Sequence, residues 1–177
     1  MKIISYYTPK YAKVAESLTA SLERLTMPYF IKSIDDQGSW DANCHYKPKF
    51  ILEQLENEDA VVWTDADSVV NAEPLLFYDL DCDIAFHRFK GKELLSGTVF
   101  FRNTFETIKL LHKWIEMNDY FPHQFDQKNL DMAISSTETL KIYNLPPEYC
   151  CIYDLSREYY GGMKPVIEHF QASRQYR

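Results

Sequence analysis

The first 64 residues alternate between apolar strands and amphipathic helices, and this order restricts the fold more than any other feature. Strands are predicted at 1–7, 29–34 and 60–64. Between them, one helix begins at Pro9 and a second runs from Pro48 through about Asn57, each with apolar residues on one face. The order indicates an α/β layer, and the continuous apolar run at 60–64 is typical of a central parallel strand covered on both faces.

Shorter elements are predicted in the second half. They are strands at 83–87, 97–102 and 140–146, a helix capped by Thr104, a helix capped by Asp126 and running through Ile134, and a tail at 165–177 that begins as a strand and ends polar and basic. The stretch "SWDANCHYK" (39–47) is predicted to be a loop. We therefore expect a single Rossmann-like α/β domain over 1–177, with a mostly parallel central sheet flanked by helices.

Composition excludes several classes of protein. Hydrophobic residues make up 46% of the chain, which is enough for a buried core. No apolar run approaches the roughly 20 residues of a membrane span, and the start is too polar for a signal peptide. The net charge of −7 disfavours a long nucleic-acid footprint. Four cysteines without a CxxC pair favour a reduced, cytoplasmic protein, and the small size would suit a phage or virus genome.

The stretch "VVWTDADSVV" (61–70) ends a buried strand with two carboxylates, Asp65 and Asp67. Aspartate is common at strand ends because it hydrogen-bonds turn amides, so a purely structural role is one interpretation. The stretch also resembles the first motif of haloacid-dehalogenase phosphatases, which would make Asp65 a nucleophile and Asp67 an acid/base. That motif normally lies near the start of the chain, and the late acidic pair of that class is not found. A third interpretation is a divalent-metal site, since hard oxygen ligands suit Mg²⁺ or Mn²⁺.

Four short motifs in order resemble small glycosyltransferases of the GT-A fold. They are "WTDADS" (63–68), "LLSGTVFFR" (94–102), "FDQ" (125–127) and "IEHFQASR" (167–174). Each motif alone is weak, but their order and spacing extend over nearly the whole chain. The resemblance implies that Asp65, Asp67 and His169 hold the metal. An imidazole ligand favours Mn²⁺ over Mg²⁺ as the cofactor.

The resemblance also assigns residues to the donor, a nucleotide-diphosphate sugar. Tyr6, Tyr7 and Thr8 would lie beside the base and ribose, although one of the tyrosines is expected to pack in the core because successive strand residues face opposite ways. Ser96, Gly97 and Thr98 would line the donor sugar. Lys47 and Arg174 would meet the diphosphate, for which a guanidinium offers a forked set of donors.

Asp126 and Gln127 would lie beside the reactive carbon of the sugar and are the predicted catalytic residues. If the enzyme inverts, Asp126 would deprotonate the acceptor hydroxyl; if it retains, either residue would stabilise a cation-like transition state. The resemblance slightly favours retention. The acceptor, whether glycan, protein, small molecule or modified base, would be recognised by loops at 87–95, 118–124 and 157–164, the last a candidate lid.

The prediction is therefore a metal-dependent glycosyltransferase of the hexosyltransferase class that uses a nucleotide-diphosphate sugar, in particular a UDP-sugar, and a hydroxyl acceptor that the sequence does not identify. Two alternatives stay open. One is the phosphatase based on Asp65 and Asp67, and the other is a non-catalytic protein that binds nucleotide sugars.

Overall fold

The computed structural model describes residues 1–176. Its strands are β1 (Lys2–Tyr7), β2 (Tyr29–Ser33), β3 (Ala60–Thr64), β4 (Ser68–Val70), β5 (Ile84–Phe89), β6 (Glu93–Arg102), β7 (Ile142–Asn144), β8 (Cys151–Ile152) and β9 (Ile167–His169). Its helices are α1 (Ala12–Arg24), α2 (Trp40–His45), α3 (Lys47–Leu55), α4 (Leu76–Asp79), α5 (Phe105–Tyr120), α6 (Asp126–Ser135), α7 (Leu155–Tyr160) and α8 (Ser173–Tyr176). Two short 3₁₀ helices lie at Pro9–Tyr11 and Pro147–Tyr149.

Six strands form the central sheet in the order β2-β1-β3-β6-β5-β7. The pairs β1–β2, β1–β3 and β5–β7 are parallel, whereas β6 is antiparallel to both of its neighbours. Five strands of this sheet therefore run in one direction and β6 in the other. The prediction of an α/β fold with a mostly parallel sheet is confirmed.

Both faces of this sheet are covered, as the apolar run of β3 predicts. Val61 and Trp63 join a core formed with Phe50 of α3 and with α5 and α6. Val62, which points the other way, packs with Leu18 of α1 in a second core. This alternation along one strand is the two-residue period of β structure. Because the side chains of β3 are buried in a core on each face of the sheet, the polar residues that follow β3 lie at the edge of the sheet.

A second, smaller sheet in the order β4-β9-β8 was not predicted. Its strand β4 follows the aspartate pair directly in the sequence and pairs with β9 in antiparallel orientation, with Ser68 opposite His169. Three-residue strands have too few positions to show a period, so the sequence pattern could not identify β4. The pairing brings the C-terminal segment back to the end of β3.

Several local predictions were wrong. The segment predicted as a loop at 39–47 contains α2, which Ser39 caps by accepting a hydrogen bond from the Ala42 N–H at 3.1 Å. The tail is a strand only over β9, and α8 follows; Arg177 lies outside the described residues. The predicted lid loop at 157–164 begins inside α7. The predicted cap Thr104 is confirmed, since it accepts from the Thr107 N–H at 3.2 Å.

None of the described helices has the length and apolar character required to cross a membrane. The four cysteines are all free thiols.

Candidate active site

One edge of the central sheet carries a cavity of about 360 Å³. It lies at the C-terminal ends of the parallel strands β1, β3 and β5 and beside the first half of antiparallel β6, which begins at the same edge. Open α/β sheets bind their ligands at this edge. The cavity is lined by Tyr6, Tyr7, Thr8, Tyr11, Trp40, Asn43, Cys44, Lys47, Trp63, Asp65, Ala66, Asp67, Phe89, Glu93, Leu95, Ser96, Phe125, Asp126, Gln127, Ile152, Leu155, Gln171 and Ser173.

Asp65, Asp67 and His169 meet at the end of β3, where one ligand atom from each lies within 4.8 Å of the others. The turn that presents the aspartates is fixed by backbone bonds, since the Asp65 N–H donates to the Gly97 carbonyl at 2.8 Å. The Ala172 N–H donates to Asp67 Oδ2 at 2.7 Å and fixes that carboxylate. The structure thus brings His169 to two aspartates that lie about a hundred positions earlier in the sequence.

His169 is fully buried, and its two ring nitrogens have different surroundings. Nε2 lies 2.8 Å from the Thr98 hydroxyl, whereas Nδ1 has no hydrogen-bond partner and lies 3.9 Å from Asp67 Oδ1. When Nε2 carries the proton and donates it to Thr98, Nδ1 keeps its lone pair. A buried, unpartnered nitrogen beside two carboxylates is a group that a divalent cation would satisfy, and the donor set fits Mn²⁺ or Mg²⁺.

Charges around the cluster support cation binding. Burial on its own would lower the pKa of His169, but the neighbouring Cys150 and Asp67 outweigh it and raise that pKa to about 10. Burial on its own would raise the pKa of Asp67, but its interactions with His169 and the Ala172 N–H lower it. Without a cation these surroundings therefore favour the imidazolium, and a metal ion held at Nδ1 would replace the proton there.

Gly97 lies against the ring of His169 and does not line the cavity, and neither does Thr98. A Cβ at Gly97 would lie 3.0 Å from Cε1 and 3.1 Å from Nδ1 of that ring. Of the three residues predicted to line the donor sugar, Ser96 alone is in the cavity wall. In the structure, Gly97 and Thr98 instead shape and orient His169.

Lys47 is buried between two carboxylates. Its Nζ lies 2.8 Å from Asp126 Oδ2 and 3.1 Å from Asp65 Oδ1, and Asp65 also accepts from Trp63 Nε1 at 2.9 Å. Burial on its own would lower the pKa of Lys47, but Asp126 and Asp65 outweigh it and raise that pKa above its usual value. Lys47 therefore stays charged and connects the Asp65–Asp67–His169 cluster to the predicted catalytic turn.

Asp126 and Gln127 begin α6 and both line the cavity. The expected cap at Asp126 is wrong, because Phe125 is the capping position and Asp126 is the first helical residue. Its carboxylate is turned to Lys47 and lies 3.4 Å from the Ser96 hydroxyl. The amide of Gln127 accepts from the Ser96 N–H at 3.2 Å and donates to Glu93 at 3.1 Å, so its orientation is fixed.

The residues Tyr6, Tyr7 and Thr8 all line the cavity. Tyr6 belongs to the core and its hydroxyl donates to the Asn43 carbonyl at 2.5 Å, whereas Tyr7 is half-buried. The expectation that one of the two tyrosines packs in the core agrees with this arrangement.

Arg174 is placed differently from the prediction, since it pairs with Asp154 at 2.5 Å and does not line the cavity. Gln171 and Ser173, which the sequence analysis missed, do line it. Their nearness to His169 in the sequence was the available signal. Trp40 and Phe125 line the cavity as well and were also missed by the sequence analysis. Their rings contact each other edge to face, with 5.8 Å between the ring centroids.

No protein-family model matches the chain, and no curated protein matches it. Several solved structures are similar to the chain. A glycosyltransferase involved in glycosylation of the major capsid of PBCV-1 superposes with a TM-score of 0.76 at 14% identity, over 96% of this chain and 92% of that protein. The apo form of the glycosyltransferase GlyE from Streptococcus pneumoniae TIGR4 superposes with a TM-score of 0.68 at 16% identity, over 96% of this chain and 54% of GlyE.

The galactosyltransferase LgtC, solved with donor and acceptor sugar analogues, superposes with a TM-score of 0.60 at 12% identity, over 97% of this chain and 87% of LgtC. The chain spans about half the length of GlyE but most of the other two proteins. At these identities the likeness establishes the fold. The chain has the GT-A fold of these glycosyltransferases, which confirms the fold that the sequence motifs implied.

Proposed function

We propose that the protein is a metal-dependent glycosyltransferase that moves a sugar from a nucleotide diphosphate, in particular UDP, to a hydroxyl acceptor. The observation that carries the proposal is the Asp65–Asp67–His169 cluster in a GT-A fold: its ligand atoms lie within 4.8 Å of one another, and both aspartates line the cavity. The similar solved structures are described as glycosyltransferases, and one of them holds donor and acceptor sugar analogues.

In this proposal Asp65, Asp67 and His169 hold Mn²⁺ or Mg²⁺, which would stabilise the negative charge that develops on the departing diphosphate. Tyr7 and Thr8 border the base and ribose at the end of β1. Lys47 adds a fixed positive charge between the metal cluster and Asp126. Arg174 is proposed to meet the diphosphate only if it leaves Asp154, and Gln171 and Ser173 already line that part of the cavity.

Asp126 and Gln127 are the proposed catalytic residues. The Gln127 amide is held by Ser96 and Glu93, and the Asp126 carboxylate by Lys47 and Ser96, so both are preorganised beside the place of the donor sugar. An inverting reaction would use Asp126 to accept the proton of the acceptor hydroxyl, and a retaining reaction would use either residue to stabilise positive charge on the sugar. The anomeric configuration of the first product, read by proton NMR, distinguishes the two.

A thermal-shift panel of UDP- and GDP-sugars with and without Mn²⁺ tests the donor and the metal together. A ligand that binds only the folded state adds about 2.7 kcal/mol at a hundredfold excess over its Kd, so one nucleotide class should raise Tm only when metal is present. Asp67→Ala and His169→Ala should remove this effect. Asp119→Ala and His112→Ala, the same substitutions at exposed positions of α5, should retain it.

Three results would point elsewhere. Absence of stabilisation by any nucleotide would contradict the proposal. Metal-dependent UDP binding without hydrolysis or transfer would support the non-catalytic binding protein. Hydrolysis of p-nitrophenyl phosphate that Asp65→Asn abolishes would support the phosphatase.

A further inference from the structure

The order of the strands in the central sheet sets the order in which residues lie along the cavity, and hence where the donor and the acceptor would lie. The neighbouring strands β1, β3, β6 and β5 present Tyr7, Asp65, Ser96 and Phe89 at one edge of the sheet, with about 4.8 Å between neighbouring strands. If the base lies at β1 and the diphosphate at β3, as proposed above, the donor sugar lies at β6. The next strand, β5, then marks the place of the acceptor.

The end of the cavity at β5 has an apolar wall formed by Phe89, Ile152 and Leu155, which we call the acceptor wall. The three residues come from β5, β8 and α7. Leu155 is 42% exposed and Phe89 is half-buried, so apolar surface is left open to a ligand. The Glu93 carboxylate and the Gln127 amide border the same end and are hydrogen-bonded to each other.

The position of Phe89 is fixed by the hairpin to which it belongs. It begins the tight turn between β5 and β6, in which the Lys92 N–H donates to the Phe89 carbonyl at 3.0 Å. Lys90 and Gly91 both have positive φ, at 54° and 70°, which is the geometry of the turn type that matches the twist of a hairpin. A wall that is fixed before the ligand arrives loses little entropy on binding.

Two aromatic residues of helix α7 pack against Phe89. The rings of Tyr159 and Tyr160 contact Phe89 edge to face at 5.5 and 5.9 Å. The Tyr160 hydroxyl accepts from the Lys90 N–H at 3.2 Å and lies 2.9 Å from Nε2 of His87. The segments 87–95 and 157–164, predicted separately as acceptor loops, thus form one structure.

The charge at this end restricts the ligand. Of the cavity-lining residues named here, Phe89, Ile152, Leu155 and Gln127 are uncharged, and Glu93 adds one negative charge. The nearby Lys90 is held over the rings of Tyr159 and Phe89, with Nζ at 4.7 and 5.1 Å from their centroids. An anionic acceptor would meet Glu93 unfavourably, whereas hydroxyl groups could donate to it.

We propose that the acceptor is an uncharged carbohydrate whose terminal pyranose ring packs its apolar C–H face on the acceptor wall and donates a hydroxyl to Glu93. A pyranose ring has the required combination of an apolar face and a rim of hydroxyls. This inference rests on the proposed function, because the donor position defines which end of the cavity is free.

Saturation-transfer NMR tests the inference on the whole chain with Mg²⁺ and whichever of UDP or GDP binds. The probes are the methyl glycosides of glucose, galactose, mannose and N-acetylglucosamine. At least one should receive saturation from the wild-type protein. Phe89→Ala and Leu155→Asn should each weaken its binding about tenfold or more, while metal-dependent nucleotide binding stays unchanged. Phe105→Ala, at an aromatic ring that is 79% exposed on α5, is the matched control and should have no effect.

The outcomes separate the two proposals. If neither nucleotide binds the wild type in the presence of metal, the proposed function is contradicted. If a nucleotide binds but no glycoside receives saturation, or if saturation persists in both wall variants, the acceptor wall is wrong. Binding of a single-stranded oligonucleotide in place of a glycoside, lost in Phe89→Ala, would overturn the carbohydrate assignment in favour of a base. The Leu155→Asn variant, at an exposed position, keeps the test valid if Phe89→Ala does not fold.

Discussion

The ring of His169 occupies the space in which a side chain at Gly97 would stand, 3.0 Å from the position of its Cβ. We expect Gly97→Ala to displace the imidazole by a few tenths of an ångström and to weaken Mn²⁺ binding by about tenfold, as changes beside a metal ligand typically do. Isothermal titration with Mn²⁺ measures this. Gly162→Ala is the matched control, because a Cβ at Gly162 has open space around it. Equal Mn²⁺ affinity in the two variants would contradict the role of Gly97.

The Thr98 hydroxyl orients His169 through its contact with Nε2. Thr98→Val keeps the shape of the side chain and removes this contact, so the ring loses the partner that fixes its tautomer. We expect Mn²⁺ affinity to fall by about 10- to 100-fold. Thr98→Ser keeps the hydroxyl and should retain most of the affinity. A Thr98→Val protein that binds Mn²⁺ as tightly as Thr98→Ser would show that the hydroxyl has no part in the site.

Lys47 neutralises a buried carboxylate, so its loss should destabilise the fold as well as the site. Lys47→Met leaves Asp126 buried without its cation, and we expect the free energy of unfolding to drop by about 3 kcal/mol, as for other broken buried ion pairs. Urea unfolding measures this. The double variant Lys47→Met with Asp126→Asn should recover part of the loss because the uncompensated charge is gone. No recovery would indicate that packing around Lys47 dominates.

His87 makes the attachment of α7 sensitive to acid. Burial lowers the pKa of His87, and its neutral ring contacts the Leu145 carbonyl and the Tyr160 hydroxyl at 2.8 and 2.9 Å. In the unfolded chain His87 takes up a proton below its ordinary pKa of about 6.5, and the folded state does so only at lower pH. The free energy of unfolding should therefore decrease as pH falls through this interval.

Urea unfolding at about pH 7.5 and about pH 5.5 tests the role of His87, with each unit of pKa difference contributing about 1.4 kcal/mol. His87→Gln should reduce the pH dependence, whereas His112→Gln, at an exposed position on α5, should leave it unchanged. An equally steep decrease in wild type and His87→Gln would rule out His87 as the source.

The sequence predicted the main sheet well because its strands and helices are long enough to show a period. It also identified Asp65, Asp67 and His169, through the order of short motifs, as residues that the structure then brings together. It could not place Gly97 against His169, because that contact joins positions 72 residues apart and has no local pattern. Helix α2 was missed since six residues show little periodicity, although Ser39 was a usable cap signal.

Arg174 and Asp126 show a different limit of prediction from the sequence. Both were assigned by the type of residue and its place in a motif, yet the structure pairs each with a partner that the motif does not contain, Asp154 and Lys47. The choice of partner for a charged side chain depends on distances set by the whole fold, which propensity and spacing do not encode.

The antiparallel pairing of β4 with β9 also has a consequence for synthesis on the ribosome. It pairs Ser68 with His169, so His169 reaches Asp65 and Asp67 only after about a hundred intervening residues have been made. A nascent chain that stops before β9 would have both carboxylates and all of the cavity-lining residues except Gln171 and Ser173, but would lack His169. If the cluster binds metal as proposed, we expect full metal affinity only in a chain that has folded through β9.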